Sequence, residues 1–378
     1  MRSAELHILQ PVPPSVLVRD DNGTPKTAVY GGVTRHRVPS QSWKRAARLY
    51  LPESKRGIRT KSDTAGNVLA PRIKELVDTQ LSTSEVTAWA NPIIHAALSK
   101  DGKGDKKGVM LLFSQAQLDE FARLLAPHVG EKKFKLKAAD MKEAMRKAAS
   151  VPLAAFGRMV AFDKTLSVDA AVQVAHAIST HQAIVEDDFI TTVDDFSVGN
   201  DESEDAGSGF LGNLEFTSST LYRYASVSID DLYNNLRLDR DPEDAKKYTV
   251  EAVRDVIESL ALSMPSGKQT TFASHTRPAA IILVLRESGQ PVSYAGAFEK
   301  PVQAKGNGYV EGSAQALVAH IQRERDVYGT DGEQTLVASA SAETDSLTQV
   351  ASDGQSHTFA DLIQAAADFA AGIVEDNA

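Results

Sequence analysis

Leu17–Leu51, LVRDDNGTPKTAVYGGVTRHRVPSQSWKRAARLYL, decides how the rest of the chain reads. It carries Arg19, Lys26, Arg35, Arg37, Lys44, Arg45 and Arg48, opposed only by Asp20 and Asp21. Its first half is rich in turns, with Asp21-Asn22-Gly23, Pro25 and Gly31-Gly32. Its second half reads as a helix opening at Ser40 or Ser42, since a serine hydroxyl accepts from the orphan N–H groups of a first turn. Lys44 and Arg48, at i and i+4, share one helix face with Arg45 beside them. Trp43, Ala46, Ala47 and Tyr50 are left for the buried side. A loop with backbone donors leading into a basic helix is a seat for phosphates. Spacing alone allows a solvated charged helix equally well.

Composition narrows the setting. The 378 residues exceed what one compact core holds, so two or three subdomains are expected. With 42% apolar and 24% charged residues the chain has the make-up of a soluble globular protein. Without cysteine there is no disulfide framework, thiolate metal site or cysteine nucleophile. No apolar run approaches a membrane span, and a cytoplasmic location is expected. The net charge of −9 argues against nucleic acid when taken alone, but the charge is segregated. Residues 1–60 and Glu131–Lys147 are basic, whereas Glu186–Asp205 and everything after Arg325 contain no Lys or Arg. Such a chain can carry a basic groove, and can set the acidic face of one copy against the basic face of the next.

Alternation over residues 4–10 predicts a strand ended by Pro11, Pro13 and Pro14. Polar residues 53–67 read as a boundary. Val68 to Ala149 reads as helical, with helices over Arg72–Thr79, Ser84–Ala97, Ser114–Ala126 (Ser114 as N-cap) and Ala138–Ala149. Asp101–Gly108 is expected as a loop between two of them. Lys132, Lys133, Lys135, Lys137, Lys142, Arg146 and Lys147 cluster there, as a solubilising surface or as a track for the phosphates of a second strand. Val151–Val160 reads as a strand displaying Met159, and Asp169–Gln182 as a helix. Residues 183–213 suggest a protruding hairpin with Phe189, Ile190, Val193 and Phe196 among acids. Leu214–Ile229 and Ala279–Leu285 read as strands, the latter central. Asp244–Met264, Ser313–Val327 and Phe359–Val374 read as helices, with two short strand candidates before the last. This order suits an α+β fold with an RRM-like, ferredoxin-like core.

Catalytic constellations are sparse. Gly207–Gly212 matches G-x-G-x-x-G but lacks the strand before it and the helix after it. Gly267-Lys268-Gln269-Thr270 resembles the end of a P-loop without its upstream glycine, yet Lys268, Gln269, Thr270 and Thr271 can donate to phosphate or ribose. His176 and His181 are off the i, i+4 spacing that aims two imidazoles at one metal. Asp20-Asp21 and Asp194-Asp195 are the carboxylate pairs able to hold Mg²⁺ and activate water, or simply to open turns. With 6% aromatics, a base-stacking surface is not evident, which favours recognition of sugar and phosphate.

Arg19-Asp20-Asp21, Lys26, Ala28, Gly31-Gly32, Arg35, Arg37 and then Ser40 through Arg48 fall in an order that resembles the N-terminal signature of the CasC (Cse-four) family, RAMP-superfamily backbone subunits of the type I-E CRISPR complex Cascade. Further blocks resemble the family along most of the chain: Gly157-Arg158-Met159, Ala175–Ile178 with Thr180–Gln182, Val193–Asp195, Leu211-Gly212, Glu215-Phe216, Tyr222–Tyr224, Lys268-Gln269 and Ala297–Lys300. The resemblance implies an RRM-like palm (1–55, 151–182 and 214–378), a helical fingers insertion (56–150) and a hairpin thumb (183–213). It implies a non-catalytic subunit without cofactor that polymerises along CRISPR RNA with other Cascade subunits. That subunit would kink the guide at intervals and present its bases to target DNA. Carried over by position, Arg19, Lys26, Ser40, Gln41, Lys44, Arg45, Arg48, Lys268, Gln269 and Thr270 would contact the guide. Met159 would wedge at the kink and Phe189, Ile190 and Val193 would form the thumb contact. Lys132, Lys133, Lys135 and Lys137 would touch DNA. Where relatives carry an aromatic pair, the second member here is Ile190, which favours a steric wedge over stacking. The competing expectation is a relative that cleaves RNA through Asp20 or Asp21 with Mg²⁺.

Overall fold

The computed structural model describes residues 1–98, 108–193, 208–304, 306–330 and 332–376, with side chains at 191–193 and 208–211 left aside. The chain opens with β1 (Ser3–Ser15), which runs through the prolines instead of ending at them. The reason is its pairing. β1 leaves β10 (Ala280–Arg286) after Leu9 but stays with β9 (Ser208–Ser228) to Ser15, so from Pro11 onward one edge needs no ladder donors. A hairpin of β2 (Thr27–Tyr30) and β3 (Val33–Val38) follows, then α1 (Ser40–Tyr50). Ser40 is the first helical residue and not the cap; Pro39 holds that place, with no side-chain cap. Residues 53–67 are more ordered than their composition suggests, with α2 (Glu53–Arg56) and β4 (Ile58–Lys61).

The next segment builds a second hydrophobic core. It contains α3 (Gly66–Leu76), α4 (Thr83–Ala97), β5 (Met110–Phe113), α5 (Gln115–Leu125) and α6 (Ala138–Arg146). Ser114 caps α5, as expected, and Gln117 completes a capping box. β5 breaks the helical run and pairs with β4, since Leu111 and Phe113 must face a core that also takes Val160 and Leu166. The Asp101–Gly108 loop lies, apart from Gly108, outside the described residues.

Two readings of the sequence are overturned here. Val151–Phe156 is a helix, α7, with Pro152 in its first turn and five buried residues packed into the main core, where apolar content mimics a strand. Asp169–Gln182 is not helical. β6 (Val172–Val174) and β7 (Ala177–Ser179) both pair with β9, and burial follows that ladder. β8 (Glu186–Val193) then pairs with the first part of β9.

The remaining elements are α8 (Ile229–Leu236), α9 (Pro242–Leu262), α10 (Gln269–Phe272), α11 (Val310–Tyr328), β11 (Glu333–Ser339) and α12 (Phe359–Asp376). Before α12 there is one strand, β11, followed by a 3₁₀ stretch, Ala342–Val350, where two short strands were expected. The main sheet runs β11-β10-β1-β9-β7-β3-β2, all antiparallel, with β10 interior as predicted. One face packs on α8, α9 and α12 through Leu6, Ile8, Ile281 and Leu283; the other packs on α11 through Leu9, Ile282 and Val284. This is a mixed α/β fold around an antiparallel sheet.

β9 serves two structures. Thr217 to Ser228 pair with β1, while Ser208 to Phe216 pair with β8 alone, so the strand leaves the sheet as a two-stranded arm. Phe189 (67% exposed) and Ile190 (36%) sit on opposite faces of that arm. Val193 closes β8; Asp194, Asp195 and Phe196 lie outside the described residues.

Candidate nucleic-acid interface

The geometry begins with Arg35, which is fully buried. Its guanidinium donates to the carbonyls of Tyr30 (3.1 Å), Ser179 (2.9 Å), Phe298 (2.7 Å) and Glu299 (3.1 Å). It therefore ties the β2–β3 hairpin to β7 and to the 294–299 segment. Asp20 and Asp21 do not pair with it. One Asp20 oxygen accepts the N–H groups of Asn22 (2.9 Å) and Thr24 (3.1 Å), which makes it a turn former. Arg37 is also held locally, by the Thr27 carbonyl (3.1 Å) and His176 Nδ1 (3.0 Å).

The other cations of the stretch point outward. α1 buries Trp43, Ala46 and Ala47, and the buried Arg223 guanidinium stacks 3.7 Å from the Trp43 ring centre. The opposite side carries Gln41, Lys44, Arg45 and Arg48. Burial of its stem holds the Lys44 ammonium below its ordinary pKa; it sits 5.9 Å from the centre of the Phe156 ring. Arg48 is lowered too, by burial first and then by the charges of Arg59, Arg45 and Arg56. Arg56 and Arg59 are thus members of this basic face that the sequence reading missed. The signal was present in the run KRGIRTK, which composition assigned to a boundary. Among the described residues, none of Arg19, Lys26, Lys44, Arg45, Arg48, Arg56, Arg59 or Lys268 makes an ion pair.

Neighbouring turns converge on α1. Lys26 is tied to the end of β1 by its N–H to the Val18 carbonyl (3.2 Å), beside the exposed Arg19. Gly267 lies so close to that segment that a Cβ there would stand 2.3 Å from the Leu17 carbonyl oxygen. A cleft of about 570 Å³ runs between the two, lined by Leu17, Ser42, Arg45, Leu49, Met264 and Gly267. Lys268 follows in the left-handed region (φ 50°) and turns the chain into α10, leaving Lys268 and Thr270 exposed and Gln269 half-buried. Phe272 then meets Phe216 at the base of the arm, 5.9 Å between ring centres.

Met159 completes the set. Gly157 (φ 74°) allows the turn, with the Val168 carbonyl where a Cβ would go. Arg158 is buried and donates to the carbonyls of Leu112 (3.1 Å), Met145 (3.1 Å) and Leu166 (3.2 Å) and to Gln117 Oε1 (2.9 Å). Met159, next in sequence, is 80% exposed. Glycine turns, arginine anchors and methionine projects. Lys132, Lys133, Lys135 and Lys137 are exposed on the helical subdomain and belong to a different surface. His176 and His181 part company, the former on Arg37 and the latter stacked on Tyr309 (3.6 Å). Among the described residues no group of three His, Asp or Glu is placed to hold a metal, and no helix is long and apolar enough to cross a membrane.

The chain matches the model of the CT1975-like protein family over residues 4–365. It belongs to that family. This CT1975-like protein is similar to a chain of a CRISPR RNA-guided surveillance complex in a pre-nicking state, with 29% identity, a TM-score of 0.80, and 97% of this chain and 100% of that chain covered. It is also similar to a chain of another CRISPR RNA-guided surveillance complex, with 26% identity, a TM-score of 0.61, and 97% and 98% covered. No curated protein matches it.

Proposed function

We propose that the chain is the guide-carrying backbone subunit of a type I-E Cascade, a CasC protein with an RRM-like palm, helical fingers and a thumb formed by the β8–β9 arm. Several copies would polymerise along one CRISPR RNA, in company with other Cascade subunits. The observation that carries this reading is the face of cations without ion-pair partners among the described residues on α1 and its flanking turns, with the base of the arm following Lys268 at Phe272. Arg19, Lys26, Lys44, Arg45, Arg48 and Lys268 hold guide phosphates; Ser40, Gln41, Gln269 and Thr270 donate hydrogen bonds to sugar and phosphate. Met159 wedges between nucleotides, and Phe189, Ile190 and Val193 of a neighbour's arm close over the kink. Ordering the guide in advance removes that entropy cost from target pairing, so base pairing reads the DNA while the protein reads backbone. Lys132, Lys133, Lys135 and Lys137 meet the target DNA. No catalytic step is assigned to this subunit. One of the two Asp20 oxygens is engaged by the turn, which favours the scaffold over a magnesium-dependent ribonuclease at Asp20 and Asp21.

A footprint of single-stranded RNA bound by the protein, with and without Mg²⁺, tests the proposal. Reactive nucleotides at regular intervals between protected segments are expected. Protection without a period removes the arm's role. Cleavage that needs Mg²⁺ and disappears in Asp20→Ala/Asp21→Ala replaces the scaffold with an enzyme.

A further inference from the structure

Beside the four exposed lysines, the helical subdomain carries a cleft of about 620 Å³ whose floor includes Trp89, Ile93 and Phe134 and whose rim includes Lys132 and Lys135. The rings form a ladder. Trp89 and Phe134 stack at 6.3 Å between centres, and Phe134 and His128 at 4.1 Å. The Trp89 indole is fixed beside Phe134 by its N–H donating to the Glu131 carbonyl (3.1 Å). Lys142 of the same cleft is committed to Asp163 (2.7 Å), whereas Lys132, Lys133, Lys135 and Lys137 make no ion pair with a described residue.

We propose that this cleft takes an unpaired base of single-stranded DNA against its aromatic floor, while the rim lysines hold the flanking phosphates. The proposal rests on the reading that the helical subdomain meets DNA, and adds which form of DNA. Aromatic faces beside unpaired cations are the two ingredients of single-strand binding: stacking tolerates any base, and the cations follow the backbone. A closed duplex offers phosphates to the lysines but no base face to the cleft. The volume lies within the range of small-molecule sites and exceeds one nucleobase. The floor is mainly apolar, so the site would hold sequence loosely.

The two tryptophans make the test direct, because Trp43 is 2% exposed while Trp89 is half-buried at the cleft. The full chain is titrated with oligothymidylate, with an abasic strand of equal length, and with a duplex. Expected results are quenching of Trp fluorescence by oligothymidylate alone, loss of that quenching in Trp89→Phe, and about tenfold weaker binding of the abasic strand. Phe134→Ala in the folded protein should weaken oligothymidylate about tenfold and leave the abasic strand unchanged. Equal binding of all three without quenching overturns the stacked base and leaves a phosphate track. If Lys132, Lys133, Lys135 and Lys137 are all changed to Ala and DNA binding is unaltered, the wider DNA reading fails as well.

Discussion

Arg35 and Arg45 come from one basic stretch and end in opposite environments. Arg35 is fully buried with four carbonyls around its guanidinium, while Arg45 is exposed beside Arg48 and makes no ion pair with a described residue. Arg158 and Met159 repeat the contrast within two residues, one side chain locked inward and the next 80% exposed. In both cases one basic or anchoring side chain is spent on the protein's own carbonyls while another is left to solvent. A signature rich in arginine mixes two requirements, architecture and ligand, and the count of positive charges does not separate them.

The sharpest way to break this contrast is Arg35→Ala. It strands the buried Ser179 and Phe298 carbonyls and should cost about 3 kcal/mol or more, read as a lower urea midpoint. A neutral effect on stability would remove the distinction between the two kinds of arginine. Next to it, His36 is buried and shares a 2.8 Å hydrogen bond with Ser219, and burial first, then the charge of His181, takes its pKa from 6.5 down to about 4. Below pH 6.5 the unfolded chain binds a proton that the folded chain refuses until pH 4, so stability should fall as pH drops through that window. The loss is about 3 kcal/mol at most. His36→Gln should make the profile shallower in chemical unfolding across pH, leaving the part that buried His7, held down to about 3 by burial first and then by Arg286, contributes.

On the outward side, Lys44→Ala/Arg45→Ala/Arg48→Ala should cost stability only about 1 kcal/mol, through the packed stems of Lys44 and Arg48. The slope of log affinity for single-stranded RNA against log salt should drop by about two. An unchanged slope would mean that α1 is only a solvated helix. The smallest effect on affinity belongs to Met159→Ala. Stability and overall RNA binding should stay within about 0.5 kcal/mol, while the periodic reactivity of bound RNA disappears. A footprint that keeps its period would leave Met159 an exposed side chain without a role.

Legibility followed locality. α1 and the N-cap at Ser114 were readable, since amphipathic spacing and caps are local signals, whereas the box that Gln117 closes was not read. β10 was readable because an apolar run bounded by breakers has few other uses. The errors lie where long-range pairing or burial decides. Val172–Val174 and Ala177–Ser179 have helix-like apolar spacing, yet β9 recruits them as strands. Val151–Phe156 looks like a strand because both of its sides are buried. Gly267 and Arg45 line one cleft because Gly267 meets Val16 and Leu17 just past β1, a contact distant in sequence. Arg56 and Arg59 were in plain view but were read as a boundary, because charge alone does not tell a linker from a binding edge.

The strand shared by sheet and arm has a consequence for evolution of length. Because β9 continues from the ladder with β1 into the ladder with β8, the reach of the arm is counted in residue pairs. Two residues added to each strand would carry the tip outward by about 7 Å and keep Phe189 and Ile190 on their faces. One residue added to each would exchange those faces. If copies of this chain gauge their distance along a guide with this arm, the distance is quantised, and its permitted values are steps of a β-ladder instead of a continuum.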